Sequence, residues 1–416
     1  MTHSDPATYV AENRSELVRT TLDVLAVDTS NPPGDTRALV ESIESEFDGL
    51  GVETERFAVD PAKPNLLVRV PGDGDRTFCF NGHLDTVPFD AETWEYDPLG
   101  ERVDDRIYGR GATDMKGPLA AMLLALRAFV EADGKPPVDL LFTFVSDEEV
   151  GGDAGLPALL AADRLDADAC VIGEPTCSDG RYSVVVADRG SIWLTLEATG
   201  EAAHGSRPVL GDNAIDRLYG AVTTLRERFG QRELDIDATV EPILEESIEY
   251  YAPTMGAEAA RELFAYPSIN LGTIEGGEAI NSVPQSATAE IDIRLTAGVQ
   301  TPDVLSEIRE CVATCDGVTI SEVSWSVGTV EPPDSPLVEA VASTAETVTG
   351  QQAYRRSATG GGDAKKLRNA GVPTVEFAAG TDTVHAVDEY ITVDALATNA
   401  AVYVRLPAVW DGTRGT

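Results

Sequence analysis

The 416-residue chain reads as an α/β protein interrupted by a smaller inserted α+β domain. Three observations predict this. Across residues 1–187 an apolar strand, a stretch of acids and glycines, and a helix follow one another repeatedly. Across 188–328 the texture changes to alternating strands and amphipathic helices in the order β-α-β-β-α-β, the split-βαβ (ferredoxin-like) sandwich. Across 329–416 the first texture resumes. The length also exceeds one comfortable core, so two domains are expected.

The elements follow in order. Val10, Leu17, Thr21 and Leu25 recur at helical spacing over Thr8–Val27, and Asn31-Pro32-Pro33-Gly34 stops that pattern. A second helix is predicted near Thr36–Leu50, then strands at Val52–Val59, Asn65–Val70 and Thr77–Asn81. The segment Gly109-Arg110-Gly111-Ala112-Thr113-Asp114-Met115-Lys116-Gly117 leads into a helix over Pro118–Ala132. Val138–Val145 and Cys170–Gly173 are apolar strands, the first ending in Ser146-Asp147-Glu148-Glu149-Val150-Gly151-Gly152, the second in Glu174-Pro175-Thr176. In the inserted part, strands are expected at Gly190–Ala198, Ser268–Ile274, Ala287–Leu295 and Val318–Trp325. Helices are expected there at Asp212–Phe229 and Thr301–Thr314, with Leu234–Tyr266 as an irregular insertion. A helix over Pro336–Thr349, the strand Pro373–Ala378 and a helix from Val393 complete the chain. Ligands of open α/β sheets gather at the carboxyl ends of the strands, so the acid-bearing motifs are expected in one crevice.

Composition narrows the function classes. Thirty-one Lys+Arg against 71 Asp+Glu give a formal net charge of −40, and only Lys63, Lys116, Lys135, Lys365 and Lys366 are lysines. Such a surface repels nucleic acid and anionic membranes, and in dilute salt it repels itself. The acids are spread along the chain rather than gathered in a tail. That fits a salt-rich intracellular setting better than an acidic groove, which would not need acids everywhere. The longest apolar run, around Leu119–Val130, is broken by Arg127 and too short to span a bilayer. With no basic-then-apolar leader pattern at the start, a cytoplasmic protein is expected. Cys79, Cys170, Cys177, Cys311 and Cys315 show no zinc-knuckle spacing and are expected to be buried free thiols.

Of four histidines, His83, His204 and His385 each sit in a Gly-, Pro- or acid-rich motif. In Gly82-His83-Leu84-Asp85-Thr86-Val87-Pro88, strand alternation puts His83 and Asp85 on one face. They are either a metal ligand with the carboxylate that fixes its tautomer, or a satisfied loop-end pair. Asp114 is either a ligand or the N-cap of the following helix. Glu148-Glu149 is either a solvated acidic pair or, lying between an apolar strand and Gly-Gly, part of a site. Glu174 before Pro175 is either a turn opener or a ligand. A pair of divalent metals that splits water needs neutral imidazoles, carboxylates with one of them bridging, and a free carboxylate as proton shuttle. The candidates are His83, Asp85, Asp114, Glu148, Glu149, Glu174 and His385.

Taken together, His83-x-Asp85, Gly-Arg-Gly-x-x-Asp114-Met-Lys-Gly, Asp-Glu148-Glu149-x-Gly-Gly and Gly-Glu174-Pro resemble the dinuclear zinc aminoacylase/carboxypeptidase family. That family includes acetylornithine deacetylase, succinyl-diaminopimelate desuccinylase and glutamate carboxypeptidase. The resemblance runs over nearly the whole chain. It implies a zinc-peptidase-like catalytic domain with an inserted lid that also forms a homodimer, and two Zn²⁺, with Co²⁺ as a possible substitute. His83, Asp114 and Glu174 would bind one metal and Asp114, Glu149 and His385 the other, with Asp114 bridging. Asp85 would sit behind His83, and Glu148 would be the general base for the water that the metals activate. The peptide after Asp114 would be cis. His204, in Ala203-His204-Gly205-Ser206-Arg207-Pro208, corresponds to a lid histidine that supports the oxyanion, in dimeric members from the partner subunit. Asn281 and Arg294 correspond to lid residues that hold a substrate carboxylate; for Arg294 a structural ion pair with a neighbouring acid is the alternative. The amides around Gly361, in Thr359-Gly360-Gly361-Gly362-Asp363, would cradle a carboxylate; Gly362 stands where the family often has Ser or Thr.

The implied activity is removal of an N-acetyl or N-succinyl group from an amino acid such as ornithine or diaminopimelate. Carboxypeptidase, dipeptidase or aminoacylase activity, with a short peptide as substrate, comes second. A non-catalytic binding protein on this fold would be expected to have lost a ligand or Glu148. A serine hydrolase would need a Gly-x-Ser-x-Gly elbow, which is absent.

Overall fold

Strand Thr77–His83 runs parallel to Asp139–Val145 on one side and to Ala169–Ile172 on the other. All three are buried along nearly their whole length because both faces of the sheet are covered. Phe78, Phe80, Phe142 and Phe144 are fully buried, and the Phe80 and Phe142 rings stack at 4.9 Å. These strands form the middle of an eight-stranded sheet in the computed structural model, which describes residues 5–47, 49–178 and 180–413; His3 lies outside them. The strand order is Glu53–Phe57, Asn65–Val70, Asp139–Val145, Thr77–His83, Ala169–Ile172, Thr374–Glu376, Tyr182–Ala187, Ala353–Ser357. Helix Lys116–Glu131 is apolar on nearly every side and is correspondingly buried, Leu119, Met122 and Leu126 completely. It packs on helices Arg14–Leu25 and Val393–Tyr403.

The chain divides into two compact units: residues up to Val186 with Glu331–Arg356 and Gly362 onward, and Ala187–Val330 with Ser357–Gly361. The second unit carries an antiparallel four-stranded sheet in the order Ser268–Gly276, Ser286–Leu295, Gly190–Thr199, Val318–Ser326. This is the split-βαβ order. Ile192, Leu194, Leu196 and Ala198 alternate inward and form a core with Leu218, Val222 and Leu225 of helix Ala214–Phe229 and Val304, Leu305 and Ile308 of helix Thr301–Ala313.

Two expectations differ. The segment expected to be irregular forms two helices, Glu241–Met255 and Ala257–Ala265. Ile243, Leu244, Ser247 and Tyr250 give the first a buried stripe at helical spacing that its many acids obscure in the sequence. The single helix expected over Thr8–Val27 is two, Pro6–Glu12 and Arg14–Leu25, which meet at Asn13, outside helical geometry at φ −108° and ψ 31°. A small sheet of Glu101–Val103, Arg106–Tyr108 and Tyr390–Thr392 has strands too short for a periodic signal.

Candidate metal centre

His83 ends its strand facing Asp114, with Nε2 3.0 Å from Asp114 Oδ1. His385 reaches the other oxygen of the same carboxylate, Nε2 lying 3.2 Å from Asp114 Oδ2 and 3.2 Å from Glu149 Oε2. Glu174 Oε1 stands 3.6 Å from His83 Nε2. Two groups of ligand atoms result, His83–Asp114–Glu174 and Asp114–Glu149–His385, each with its atoms within 4.8 Å of one another. The Asp114–Met115 peptide is cis.

The donor set suits a pair of divalent cations. It offers only imidazole nitrogens and carboxylate oxygens, and one carboxylate presents its two oxygens to two separate groups. Among the described residues, these carboxylates pair with imidazoles and with no lysine or arginine. Without a cation the crowding is unfavourable. Burial, then the neighbouring Asp114 charge, pushes Glu174 well above the usual carboxylate range. Burial opposes the charge of Asp114 too, but the hydrogen bonds from His385 and His83 outweigh it and hold that carboxyl low. The bonds to Asp114 and Glu149 lift His385 to about 10. Burial alone would lower His83, yet the hydrogen bond to Asp114 and the Glu174 charge raise it.

Glu148 lies outside both groups. Burial pushes it up to about 8, against the pull of His83 and with help from Asp363 and Glu149. A Cβ on Gly362 would stand 3.1 Å from Glu148 Oε1, so glycine leaves that carboxylate its room.

Asp85 lies behind His83, on its Nδ1 side, but meets it by a different group from the carboxylate. Its backbone oxygen, not its carboxylate, lies 2.9 Å from His83 Nδ1; the nearest carboxylate oxygen is 3.8 Å away. The carboxylate is fully buried and accepts the amides of Glu148 at 3.1 Å and Glu149 at 3.2 Å. Strand alternation fails as a guide because the chain leaves the strand at His83. Asn31 Nδ2 donates to Asp85 at 2.8 Å and to Asp147 at 3.0 Å, and Lys63 pairs with Asp147. Sequence reasoning missed Asn31 because Asn-Pro-Pro reads as a helix stop. Asp147 was passed over beside the two glutamates; its left-handed φ of 66° marks the turn that presents them.

In the second unit, His204 and Asn281 come together. Residues His204 and Ser282 form a β-bridge, and Gly205 N donates to Asn281 O at 2.6 Å. A Cβ on Gly205 would meet that backbone at 2.8 Å, so the approach needs glycine. Ser206 N donates to His204 Nδ1 at 3.2 Å; the neutral ring therefore carries its proton on Nε2 and can donate there. Arg294 lies on the helix-free face of the sheet with Nε 2.7 Å from Asp292 Oδ1, the ion pair that was the alternative to a substrate contact. Gly361 is exposed, one residue before the N-cap of the short helix Asp363–Asn369.

The profile of peptidase family M20/M25/M40 matches residues 79–408. The succinyl-diaminopimelate desuccinylase of Rhodospirillum centenum is 32% identical over 91% of this chain and 93% of its own length. That of Cereibacter sphaeroides is 31% identical over 88% and 92%. Among solved structures, the metallo-carboxypeptidase Sso-CP2 of Sulfolobus solfataricus superposes with a TM-score of 0.79 at 20% identity, covering 95% of this chain and 99% of that one. Human carnosine dipeptidase 1 gives 0.70 at 20% identity, with 98% of each chain covered; both show likeness of fold. The extent of the profile match, together with relatives above 30% identity over most of their length, makes this chain a member of peptidase family M20/M25/M40, a hydrolase of amide bonds.

Proposed function

We propose that the chain is a dinuclear zinc amidohydrolase that removes a succinyl or acetyl group from the nitrogen of an amino acid of the diaminopimelate or ornithine type. The observation that carries this reading is the sharing of Asp114 by two ligand groups, with the half-buried Glu148 beside them and in neither. The desuccinylase relatives favour an acyl amino acid over a peptide. In this reading His83, Asp114 and Glu174 hold one ion, Asp114, Glu149 and His385 the other, and cobalt can stand in for zinc.

Bound cations would polarise the scissile carbonyl and make water acidic near neutral pH. The chain's own groups do the rest. Glu148 takes the proton from water and returns it to the leaving amine, a task suited to a half-buried carboxyl whose proton affinity is raised. Asp85 aims Glu148 and Glu149 by holding their amides. His204 Nε2 donates to the oxyanion. Asn281, Arg294 and the amides at Gly361 hold the substrate carboxylate, Arg294 sharing its guanidinium between that group and Asp292. We further propose a homodimer formed through the second unit, and a reducing, salt-rich cytoplasm, which five free cysteines and a charge of −40 support.

A panel of N-acetyl, N-succinyl and N-formyl amino acids and dipeptides, assayed with zinc or cobalt in molar potassium chloride, tests the reading. N-succinyl-diaminopimelate or N-acetylornithine should give the highest kcat/KM. Faster cleavage of dipeptides would replace the deacylase reading with a peptidase one. No hydrolysis of any of them by folded, metal-loaded protein would overturn both.

A further inference from the structure

The two imidazoles that meet on Asp114 are held very differently. His83 ends a strand paired with Val145 in the middle of the sheet, and its Nδ1 is fixed at 2.9 Å from Asp85 O. His385 lies outside any strand or helix, at a left-handed φ of 60°, and its side chain is 47% exposed. Something else must set where it stands.

Four residues further on, Glu389 is fully buried. Its carboxylate accepts Arg110 Nη1 at 2.6 Å and the amides of Gly111, Thr113 and Asp114 at 3.2, 2.9 and 3.0 Å. Arg110, itself 5% exposed, donates through Nη2 to the backbone oxygen of His385 at 3.3 Å. Next to this pair, strand Tyr390–Thr392 is in register with Arg106–Tyr108, and Gly109 N donates to Glu389 O at 2.9 Å. One buried ion pair thus grips the loop that carries Asp114 and, through the same guanidinium, the turn that carries His385. Arg110 Nε is buried without a hydrogen-bond partner, so the pair is costly to take out of water, and the best-attested use of such pairs is to specify geometry.

We infer that Glu389 and Arg110 are positioning residues that set His385 against Asp114, and so control the Asp114–Glu149–His385 group selectively. The His83–Asp114–Glu174 group depends on them less, because the sheet and Asp85 O already hold His83. The inference rests on the metal-pair reading and deepens it. Neither residue offers an atom to the candidate ligand groups.

Cobalt(II) titration of metal-free protein, followed by visible absorption and by elemental analysis after gel filtration, tests it. Circular dichroism melts show that each variant is folded. Wild type should take two equivalents. Glu389→Gln keeps the shape but turns an amide donor towards backbone donors; Arg110→Lys keeps the charge but loses the fork. Each should bind one equivalent as wild type does and the other roughly 10–100-fold more weakly. If Glu389→Gln does not fold, Arg110→Lys carries the test. A folded variant that binds both equivalents as wild type does, or weakens both alike, overturns the inference. Wild type that takes fewer than two equivalents overturns the metal-pair reading and the inference with it.

Discussion

The carboxylate of Asp85 accepts the amide of Glu148, 63 residues away in sequence, at 3.1 Å. Its second oxygen takes the Glu149 amide and the Asn31 side chain. Asp85 thus acts on the acid pair and leaves His83 to its backbone oxygen.

Replacing Asp85 with Asn should therefore spare the His83 side of the centre and damage turnover. Three donors point at a carboxylate that would become half donor, in a fully buried position, so a stability loss of about 2–3 kcal/mol is expected. Turnover should fall at least tenfold, with one metal equivalent still bound as in wild type. Metal analysis alongside kcat checks this. Loss of the first equivalent with kcat preserved would show that Asp85 serves His83 after all.

Proton release should accompany metal binding. In the metal-free protein His385 is lifted to about 10 and His83 is raised as well, which favours the charged imidazolium form of both rings at pH 7. A metal takes only the neutral ring. The folded value lies above the working pH, so affinity should climb as pH rises towards about 10, and the proton count should shrink over the same interval. Calorimetry at pH 7 in buffers of different ionisation heat should show net proton release, from the two rings and from Glu174, whose carboxyl is also raised. A heat independent of buffer at pH 7 would contradict the assignment of His83 and His385 as ligands.

His204 and Arg294 should separate kinetically. His204 would meet charge that exists only as the amide is attacked, so His204→Ala should lower kcat by about 10²–10³ with little change in KM. Arg294 would hold a group present throughout, so Arg294→Ala should chiefly raise KM. The reverse pattern would remove both roles. Refolding mixed His204→Ala and Glu148→Gln subunits then asks whether His204 serves a second copy: recovered activity supports it, and proven heterodimers without activity exclude it.

Salt should stabilise the fold. A charge of −40 with five lysines makes self-repulsion large at low ionic strength, and screening shortens to about 3 Å near 1 M salt. The melting temperature should rise steadily from 0.05 to about 2 M potassium chloride. A flat or falling midpoint would remove the halophilic proposal and leave the chemistry untouched.

The parts of the centre that could be read in the sequence were those announced by a local contrast. His83, Glu148-Glu149 and Glu174 each stand where an apolar run gives way to glycine, proline and acid, at the ends of three neighbouring strands, and Asp114 joins them from the glycine-rich loop before helix Lys116–Glu131. The split-βαβ order of the second unit was visible because its strands alternate cleanly, as Gly190–Thr199 does. Glu389 had no such contrast. It sits in Asp388-Glu389-Tyr390 in a chain full of acids, and its importance comes from Arg110, 279 positions away. Asn31 was hidden in the same way, since its partners Asp85 and Asp147 come from two other loops. Arg294 was legible as the end of a strand, but its neighbour on the sheet, Asp292 two residues before it, could be named only as one of many acids.

The claim that two cations and one free carboxylate do this chemistry is tested most directly by Glu148→Gln, assayed on the best substrate of the panel with metal content measured on the same sample. Glu148 belongs to neither ligand group, and Gln keeps its size and its backbone bond to Asp85. The account predicts two equivalents of metal, a melting temperature near that of wild type, and kcat reduced by at least about 10²–10⁴. Two bound metals with kcat near that of wild type would contradict it.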